Sequence, residues 1–185
     1  MADVKPMFTL ERLALLLQNN HIKDVLDIWG GKGQQSLLCA SYHCEVDVVD
    51  PDTRDEFKYT PSLIWHPHIK RYVMKAEDFK IEKKYDLIIF LHVVMFMDKK
   101  FVLEEYLPWL QKHLKSKWML YISYILPDDL LVAKITNQAF YSPDEICWSL
   151  LWLQLIESYS LTKDILHPKH GTLTLPSQFM IFKKK

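Results

Sequence analysis

Hydrophobic residues recur along this chain with two alternating periods, one typical of helices and one typical of strands. Leucines at positions 10, 13, 16 and 17 predict an amphipathic helix that begins with Thr9 as its N-cap and ends near Asn20. The apolar run from Val25 to Ile28 predicts a strand that leads into a cluster of glycines. Since Gln34 to Ala40 contains no helix breaker, the order here is strand, glycine loop and helix.

Further apolar runs predict more strands, separated by polar or helical segments. Two of these runs are almost continuously apolar, which is typical of strands buried on both faces of a parallel sheet. The alternation of strands and helices predicts a mostly parallel, doubly wound α/β sheet. The four runs are Val46 to Val49, Ile69 to Met74, Tyr85 to Leu91 and Trp118 to Ile122.

The second half of the chain adds helices and a closing pair of strands. Helical spacing runs from Val102 to Leu114, and Pro108 must kink this helix or begin a second segment. Ser142 and Glu145 form a capping box that predicts a helix through about Leu155. The last two apolar runs predict strands joined by a turn, and they supply an antiparallel C-terminal strand. These runs are Ile156 to Leu166 and Phe179 to Lys184.

Length and composition indicate how many domains the chain contains. With 185 residues, 49% of them hydrophobic and 25% charged, the chain predicts a single globular domain over residues 1–185. Within it, residues 1–20 carry the N-terminal helix and residues 24–185 the α/β core. The 23 basic and 23 acidic residues cancel, so charge does not indicate a nucleic-acid partner.

Cysteine usage and the absence of a long apolar run indicate the compartment. The three cysteines lack a paired framework, which favours a reducing environment over a disulfide scaffold or a structural zinc site. Neither a signal peptide nor a membrane-spanning stretch is indicated. We therefore expect a cytoplasmic protein without a membrane partner and without a resident metal.

Glycine is scarce in the chain and is concentrated at one place. Three of the four glycines, Gly30, Gly31 and Gly33, lie between the first strand and its helix. Such a loop offers backbone N–H groups and the positive end of a helix dipole to a ligand. A P-loop is excluded because Lys32 is followed by Gly33 rather than by serine or threonine. A dinucleotide loop over Gly31 to Ser36 matches weakly, since Ser36 replaces its third glycine.

The segment from Val25 to Gly33 resembles motif I of the class I S-adenosylmethionine (SAM) dependent methyltransferases, in which a strand and an acid precede a glycine-rich loop. Asp27 supplies the acid, which suits a cofactor with a cationic amino group and a sulfonium but would repel a pyrophosphate. Asp50 matches the family acid at the end of the second strand. A carboxylate there accepts two hydrogen bonds from a ribose diol.

The resemblance implies a Rossmann-like sheet and extends to later segments. The loop Lys75 to Phe79 is similar to the family loop that reads the adenine amino group, with Glu77 or Asp78 in the role of the acid. Tyr85 and Asp86 are similar to the aromatic residue and aspartate that begin the family's fourth strand. Together with Asp27, Asp50 and the three glycines, Glu77 and Asp78 complete the predicted SAM site.

Trp29 stands where the family has its first glycine. A bulky residue is strained at positive φ, so we expect a negative φ at Trp29 and an indole that points away from the cofactor. Two outcomes follow from this departure. Either the indole folds under the loop and SAM binds on the three glycines, or it fills part of the pocket and SAM binding has been lost.

Side chains just past the fourth and fifth strands are candidates for meeting a substrate. These are His92, which could act as a general base near neutral pH, together with Tyr124 and Asp128. The alternative for His92 is a histidine satisfied within an apolar stretch. No dedicated nucleophile is required, because the cofactor carries the reactive methyl group.

These observations lead to one main hypothesis and two rivals. The main one is a SAM-dependent methyltransferase that acts on a small molecule or on a substrate presented by a partner protein. The first rival is a catalytically silent methyltransferase-like domain that serves as a binding or scaffold subunit, which Trp29 favours. The second is a nucleotide-binding oxidoreductase, which Asp27 disfavours.

Overall fold

The computed structural model describes residues 9–51, 66–126, 139–167 and 171–185, without the side chains at 125, 163–167 and 171–175. The described residues form the α/β, Rossmann-like sheet that the sequence predicts, mostly parallel with an antiparallel C-terminal pair. The chain divides into two compact units, Met1–Ile89 and Phe90–Lys185. The prediction of a single domain stays a prediction.

The first unit is built on parallel strands in the order β3-β2-β1-β4. In this register Asp27 lies opposite Val48 on one side and Ile89 on the other, while Asp50 lies opposite Val73. The carboxyl ends of β1 and β2 therefore bring the two predicted site acids to the same edge of the sheet. The elements are α1 (Thr9–Asn19), β1 (Asp24–Ile28), α2 (Gln34–Ser41), β2 (Glu45–Asp50), β3 (Ile69–Val73) and β4 (Tyr85–Leu91).

Hydrophobic burial explains why these segments take their positions. Helix α1 buries Leu13, Leu16 and Leu17, three of the four leucines on its predicted apolar face, while Leu10 is half-buried. Every residue of β4 is buried, as expected for a strand covered on both faces. The strands and helices predicted in this half are confirmed to within about two residues at each end.

The second unit contains the antiparallel strands, in the order β5-β7-β6. A five-residue π-helix, Val102–Tyr106, precedes helix α4 (Leu107–His113), and Pro108 lies in the first turn of α4. The sequence predicts two outcomes for Pro108, a kink or the start of a second segment, and the structure shows a change of helix type beside it, from the π-helix that ends at Tyr106 to the α-helix that begins at Leu107. A proline lacks the N–H that would continue the preceding ladder. The elements are α3 (Lys99–Phe101), α4 (Leu107–His113), β5 (Leu114–Ile125), α5 (Pro143–Ser149), β6 (Leu153–His167) and β7 (Gly171–Lys184).

Helix α5 begins as predicted but ends earlier. Ser142 and Glu145 form both hydrogen bonds of the capping box, at 3.2 and 2.8 Å. The predicted end near Leu155 is wrong, since the helix ends at Ser149 and β6 begins at Leu153. Leu153 lies opposite Lys184 in the β6–β7 ladder, so strand pairing overrides the helical spacing of the apolar residues.

The closing strands are longer than predicted, and most of the turn between them lies outside the described residues. Asp128 also lies outside them. Among the helices of the described ranges, none has the length and apolar character that crossing a membrane requires.

Candidate functional site

The glycine loop joins β1 to α2 through a tight turn. Gly33 donates its backbone N–H to the carbonyl of Gly30 at 2.7 Å and, with φ of 73°, stands as the N-cap of α2. Gly31 has a φ of 51°. A residue with a Cβ is strained at both φ values, so the loop depends on glycine for its path.

Gly30 is required for a different reason, which is close packing. A Cβ at this position would lie 2.6 Å from Cγ1 of Val48 and 3.3 Å from Oδ2 of Asp27. The loop backbone therefore lies directly against β2 and against the carboxylate of Asp27. No side chain fits between the loop and these atoms without a displacement.

Asp27 is a buried carboxylate at the end of β1. Its Oδ2 accepts a 2.5 Å hydrogen bond from the hydroxyl of Ser36 in the first turn of α2. Burial raises the pKa of Asp27 to about 6, the charge of Asp50 adds to the rise, and the hydrogen bond from Ser36 opposes it. Asp27 is therefore ionised at neutral pH, but burial makes its charged form unfavourable. An approaching cation would stabilise this charge.

Asp50 ends β2 and holds the loop from the other side. The backbone N–H of Gly31 donates to its Oδ2 at 2.9 Å. The side chain is buried, so this carboxylate lies among loop atoms rather than in bulk water. Asp27, Gly30, Gly31, Gly33 and Asp50 thus form one connected group, which we call the carboxyl-edge cluster.

Glu77 and Asp78 follow β3 in a short 3-10 helix, Ala76–Asp78. Glu77 is half-buried and Asp78 is exposed. The helix is anchored by the buried Ala76 and by Phe79, whose ring lies 5.0 Å from that of Tyr72. The assignment of Glu77 or Asp78 to an adenine remains a prediction.

Trp29 does not adopt the backbone conformation expected of it. Its φ is 59°, so the prediction of a negative φ is wrong. The backbone N–H of Trp29 donates to the carbonyl of Val49 at 2.6 Å, which extends the β1–β2 pairing before the chain turns. This turn imposes the left-handed conformation that glycine adopts without cost, and the tryptophan accepts about 1–2 kcal/mol of strain there.

His92 lies in the second unit, one residue past β4, and it is also left-handed, with a φ of 58°. Its backbone N–H donates to the hydroxyl of the buried Ser123 at 2.9 Å. Its exposed ring makes an edge contact with Phe179, at 5.4 Å between centroids. His92 is thus an exposed histidine on a strained, well-anchored backbone.

Tyr124 occupies the interior of the second unit. The side chain is fully buried, and its hydroxyl donates to the sulfur of Met180 at 3.2 Å. Burial first, and then nearby Cys147 and acidic residues, raise the pKa of Tyr124 well above its usual value. This environment favours a neutral hydroxyl with a packing role, and the catalytic role of Tyr124 stays a prediction.

Comparison with known proteins indicates the kind of fold that carries this cluster. No family model and no curated protein matches the sequence. Solved structures do match. N-methyltransferase NodS from Bradyrhizobium japonicum WM9, in complex with S-adenosyl-L-homocysteine (SAH), is 16% identical, with 98% of this chain and 89% of NodS covered at a TM-score of 0.73. The chain has the fold of the class I methyltransferases.

Two other solved structures show the same methyltransferase fold. TehB from Haemophilus influenzae is 15% identical, with 94% of this chain and 62% of TehB covered at a TM-score of 0.75. A Burkholderia thailandensis 1,6-didemethyltoxoflavin-N1-methyltransferase is 14% identical, with coverages of 95% and 78% and a TM-score of 0.67. At these identities the similarity establishes the methyltransferase fold alone.

The opposite edge of the first unit holds a second group of charges, the amino-edge cluster. Nζ of Lys83 lies 3.1 Å from Asp24 and 3.0 Å from Asp47. The buried hydroxyl of Tyr85 donates to the same oxygen of Asp47 at 3.0 Å. A cavity of about 370 Å³ opens beside these residues, and its lining includes none of the glycines. The parallel sheet of the first unit therefore carries acids at both edges, in different surroundings.

Sequence reasoning missed Ser36 as the partner of Asp27 and missed the amino-edge cluster. Ser36 is the third residue of α2, where a short hydroxyl side chain faces back toward the strand, so its position was the available signal. The cluster of Asp24, Asp47 and Lys83 joins residues far apart in sequence, and no motif indicates it. Within the described ranges, no three His, Cys, Asp or Glu side chains are arranged to hold a metal ion.

Proposed function

We propose that this protein is a SAM-dependent methyltransferase that acts on a small molecule or on a substrate presented by a partner protein. The observation that carries the proposal is the carboxyl-edge cluster. Asp50 accepts from the backbone of Gly31 in the loop, Asp27 accepts from Ser36 just past the loop, and Gly30 packs too closely for any side chain. The class I fold supports the same function.

The residues of the carboxyl-edge cluster fit SAM by their chemistry. Asp27 is a costly buried anion that suits the cationic amino group, and Asp50 is an acceptor that suits the ribose diol. Glu77 or Asp78 would accept from the adenine amino group. When bound, SAM supplies a methyl group on a positively charged sulfur, and the chain's task is to position it and exclude water.

His92 is our candidate general base. Left-handed conformations of bulky residues cost energy and tend to persist where function requires them. The hydrogen bond from the His92 amide to Ser123 anchors the strained backbone and leaves the ring exposed. An imidazole near neutral pH could take a proton from an acceptor amine or hydroxyl.

Similar structures support a small-molecule substrate. One is coclaurine N-methyltransferase bound to N-methylheliamine and SAH, which is 12% identical, with 95% of this chain covered at a TM-score of 0.72. NodS is also an N-methyltransferase. A small nitrogen-containing acceptor is therefore the first substrate class to screen.

Trp29 favours one rival, a silent methyltransferase-like domain that serves as a scaffold. Its backbone keeps a glycine-like φ of 59°, but its indole adds bulk where the family has no side chain. Titration calorimetry with SAM and SAH separates the two. We expect binding of both ligands, and no heat together with no thermal shift at millimolar ligand would reject the enzyme.

The ribose site is tested by Asp50→Ala. We expect SAH affinity to fall by about 5- to 150-fold, which corresponds to the loss of about 1–3 kcal/mol of charged hydrogen bonding. Glu45→Ala is the matched control, because Glu45 is an exposed acid at the other end of the same strand. Equal affinities of the two variants would show that the ribose site is misplaced.

Trp29→Gly then tests the role of the indole. In an enzyme that binds SAM on the three glycines, this change loosens the loop and leaves SAH affinity within a few fold. In a silent domain, the same change creates or improves binding. A large loss of affinity would instead place the indole in the cofactor site.

A further inference from the structure

The segment from Trp148 to Ile156 places apolar residues both in the core of the second unit and on its surface. Seven of its nine residues are apolar. Leu150 and Leu153 face the interior of the second unit and are buried. We call the five remaining apolar residues of the segment the aromatic patch, and their exposed fractions are 75% for Trp148, 67% for Leu151, 61% for Trp152, 39% for Leu155 and 46% for Ile156.

The aromatic patch is held in place by backbone hydrogen bonds. The N–H of Trp152 donates to the side-chain oxygen of the buried Gln111 at 2.9 Å. The N–H of Leu150 donates to the carbonyl of Cys147 at 3.2 Å, and that of Leu153 to the carbonyl of Leu150 at 2.9 Å. Trp148 is therefore presented to solvent by the end of α5 and Trp152 by the anchored turn that follows, which lowers the entropy cost of binding through them.

The size of the aromatic patch is close to what a stable dimer needs. A full tryptophan side chain contributes up to about 250 Å², so the two exposed indoles account for about 340 Å² at their exposed fractions. With the three aliphatic side chains, the patch reaches about 500 Å² per copy. Two copies face to face would bury about 1,000 Å² of apolar surface before any polar rim is counted, and specific interfaces begin near this size.

The chemistry of the patch favours a second copy of this chain as its occupant. The five side chains are uncharged, so contact between two copies of the patch itself brings no like charges together. Tryptophan is enriched among the residues that dominate interface energies. The contact would be made by side chains rather than by strand pairing, because the β6–β7 register shifts at Ile156 and a bulge opposes edge-to-edge addition.

We propose that the aromatic patch is a homodimer interface, in which the tryptophans and leucines of two copies pack against each other across a two-fold axis. This proposal is independent of cofactor binding, since it rests on residues 148–156 alone. It assigns a structural reason to an exposed apolar surface that contains no residue of the carboxyl-edge cluster.

Sedimentation equilibrium of the whole chain tests the interface. We expect a dimer of about 44 kDa, twice the 22.0 kDa of one copy, at micromolar concentration. The double variant Trp148→Ser with Trp152→Ser should raise the dissociation constant at least about 30-fold. Phe96→Ser is the matched control, because Phe96 is 56% exposed in the same unit but outside the patch, and it should leave the dimer intact.

Two results would overturn the proposal. One is a wild-type protein that stays monomeric up to about 1 mM, and the other is a double variant that dimerises as the wild type does. If the double variant fails to fold, Leu151→Lys and oxidative footprinting of the wild type replace it. Trp148 and Trp152 should then be protected at high protein concentration and labelled on dilution, whereas equal labelling at both concentrations would reject the interface.

Discussion

The two edges of the parallel sheet in the first unit carry the same type of residue in opposite surroundings. At the amino edge, Asp24 and Asp47 both contact Lys83 at about 3 Å, so their charges are balanced by a cation. At the carboxyl edge, Asp50 accepts from the Gly31 backbone, and Asp27 accepts from the Ser36 hydroxyl. The hydroxyl that contacts Asp27 carries no full charge.

Under our proposal, this difference separates a structural role at the amino edge from a ligand-binding role at the carboxyl edge. Partial burial alone would lower the pKa of Lys83, but its hydrogen bonds to Asp47 and Asp24 outweigh this and raise it, as in an ion pair that joins strands. By contrast, the pKa of Asp27 is raised to about 6 by burial and by Asp50. A carboxylate held in a costly charged state at the carboxyl edge is suited to receive a cationic ligand, and one paired with lysine is not.

The largest expected effect is the change in fold stability with pH that Asp27 causes. Because its pKa rises from 3.8 in the unfolded chain to about 6 in the folded protein, Asp27 stabilises the fold most below pH 4. This contribution is lost as pH rises through about 6. Asp27→Asn should therefore be more stable than the wild type at pH 7.5, by up to about 3 kcal/mol, and should match it near pH 4.

Denaturant titrations at several pH values check this expectation, with Ser36→Ala as the companion variant. Removal of the hydroxyl that opposes the pKa rise should move the midpoint of the pH dependence upward. SAH affinity should increase as pH rises through about 6 in the wild type and stay flat in Asp27→Asn. If the free energy of unfolding changed with pH in the same way in the wild type and in Asp27→Asn, the proposed difference between the two edges would be rejected.

At the amino edge, Asp47→Ala should cost about 2–3 kcal/mol of the free energy of unfolding. The change leaves the buried Tyr85 hydroxyl without its acceptor and removes one of the two carboxylates on Lys83. Asp47→Asn keeps an acceptor and should cost about half as much. Calorimetry on the folded variants should show unchanged SAH affinity, and a loss of affinity would mean that this edge takes part in the site.

The smallest expected effect comes from Gly30→Ala, which should cost about 1–2 kcal/mol because its Cβ would meet Val48 at 2.6 Å. Gly31→Asn is the control, since asparagine tolerates positive φ and the nearest atom to its Cβ lies at 3.8 Å. Thermal unfolding compares the two. A larger loss of stability in Gly31→Asn would show that the backbone conformation of the loop, rather than its packing against β2, determines which residues are tolerated here.

Much of the fold was predictable because local pattern and final structure agree. The apolar run Tyr85 to Leu91 becomes β4 with the same bounds, since a fully buried strand has a continuous apolar sequence. The position of Asp27 and Asp50 beside the glycine loop was predictable because each lies at the carboxyl end of a strand, and their role in binding stays a prediction. The end of α5 was not predictable, because helical spacing continues to Leu155 whereas ladder pairing with β7 decides the conformation.

The sequence by itself determined the order of strands and helices, the glycine loop and the two acids beside it, because these depend on periodicity and on residues close in the chain. Only the tertiary structure decided the φ of Trp29, the pairing of Ser36 with Asp27 and the exposure of Trp148 and Trp152. Each of these depends on which atoms from distant segments compete for the same space. Two apolar residues of one short segment therefore differ in burial, because Leu150 packs in the core whereas Trp152 is exposed on the surface.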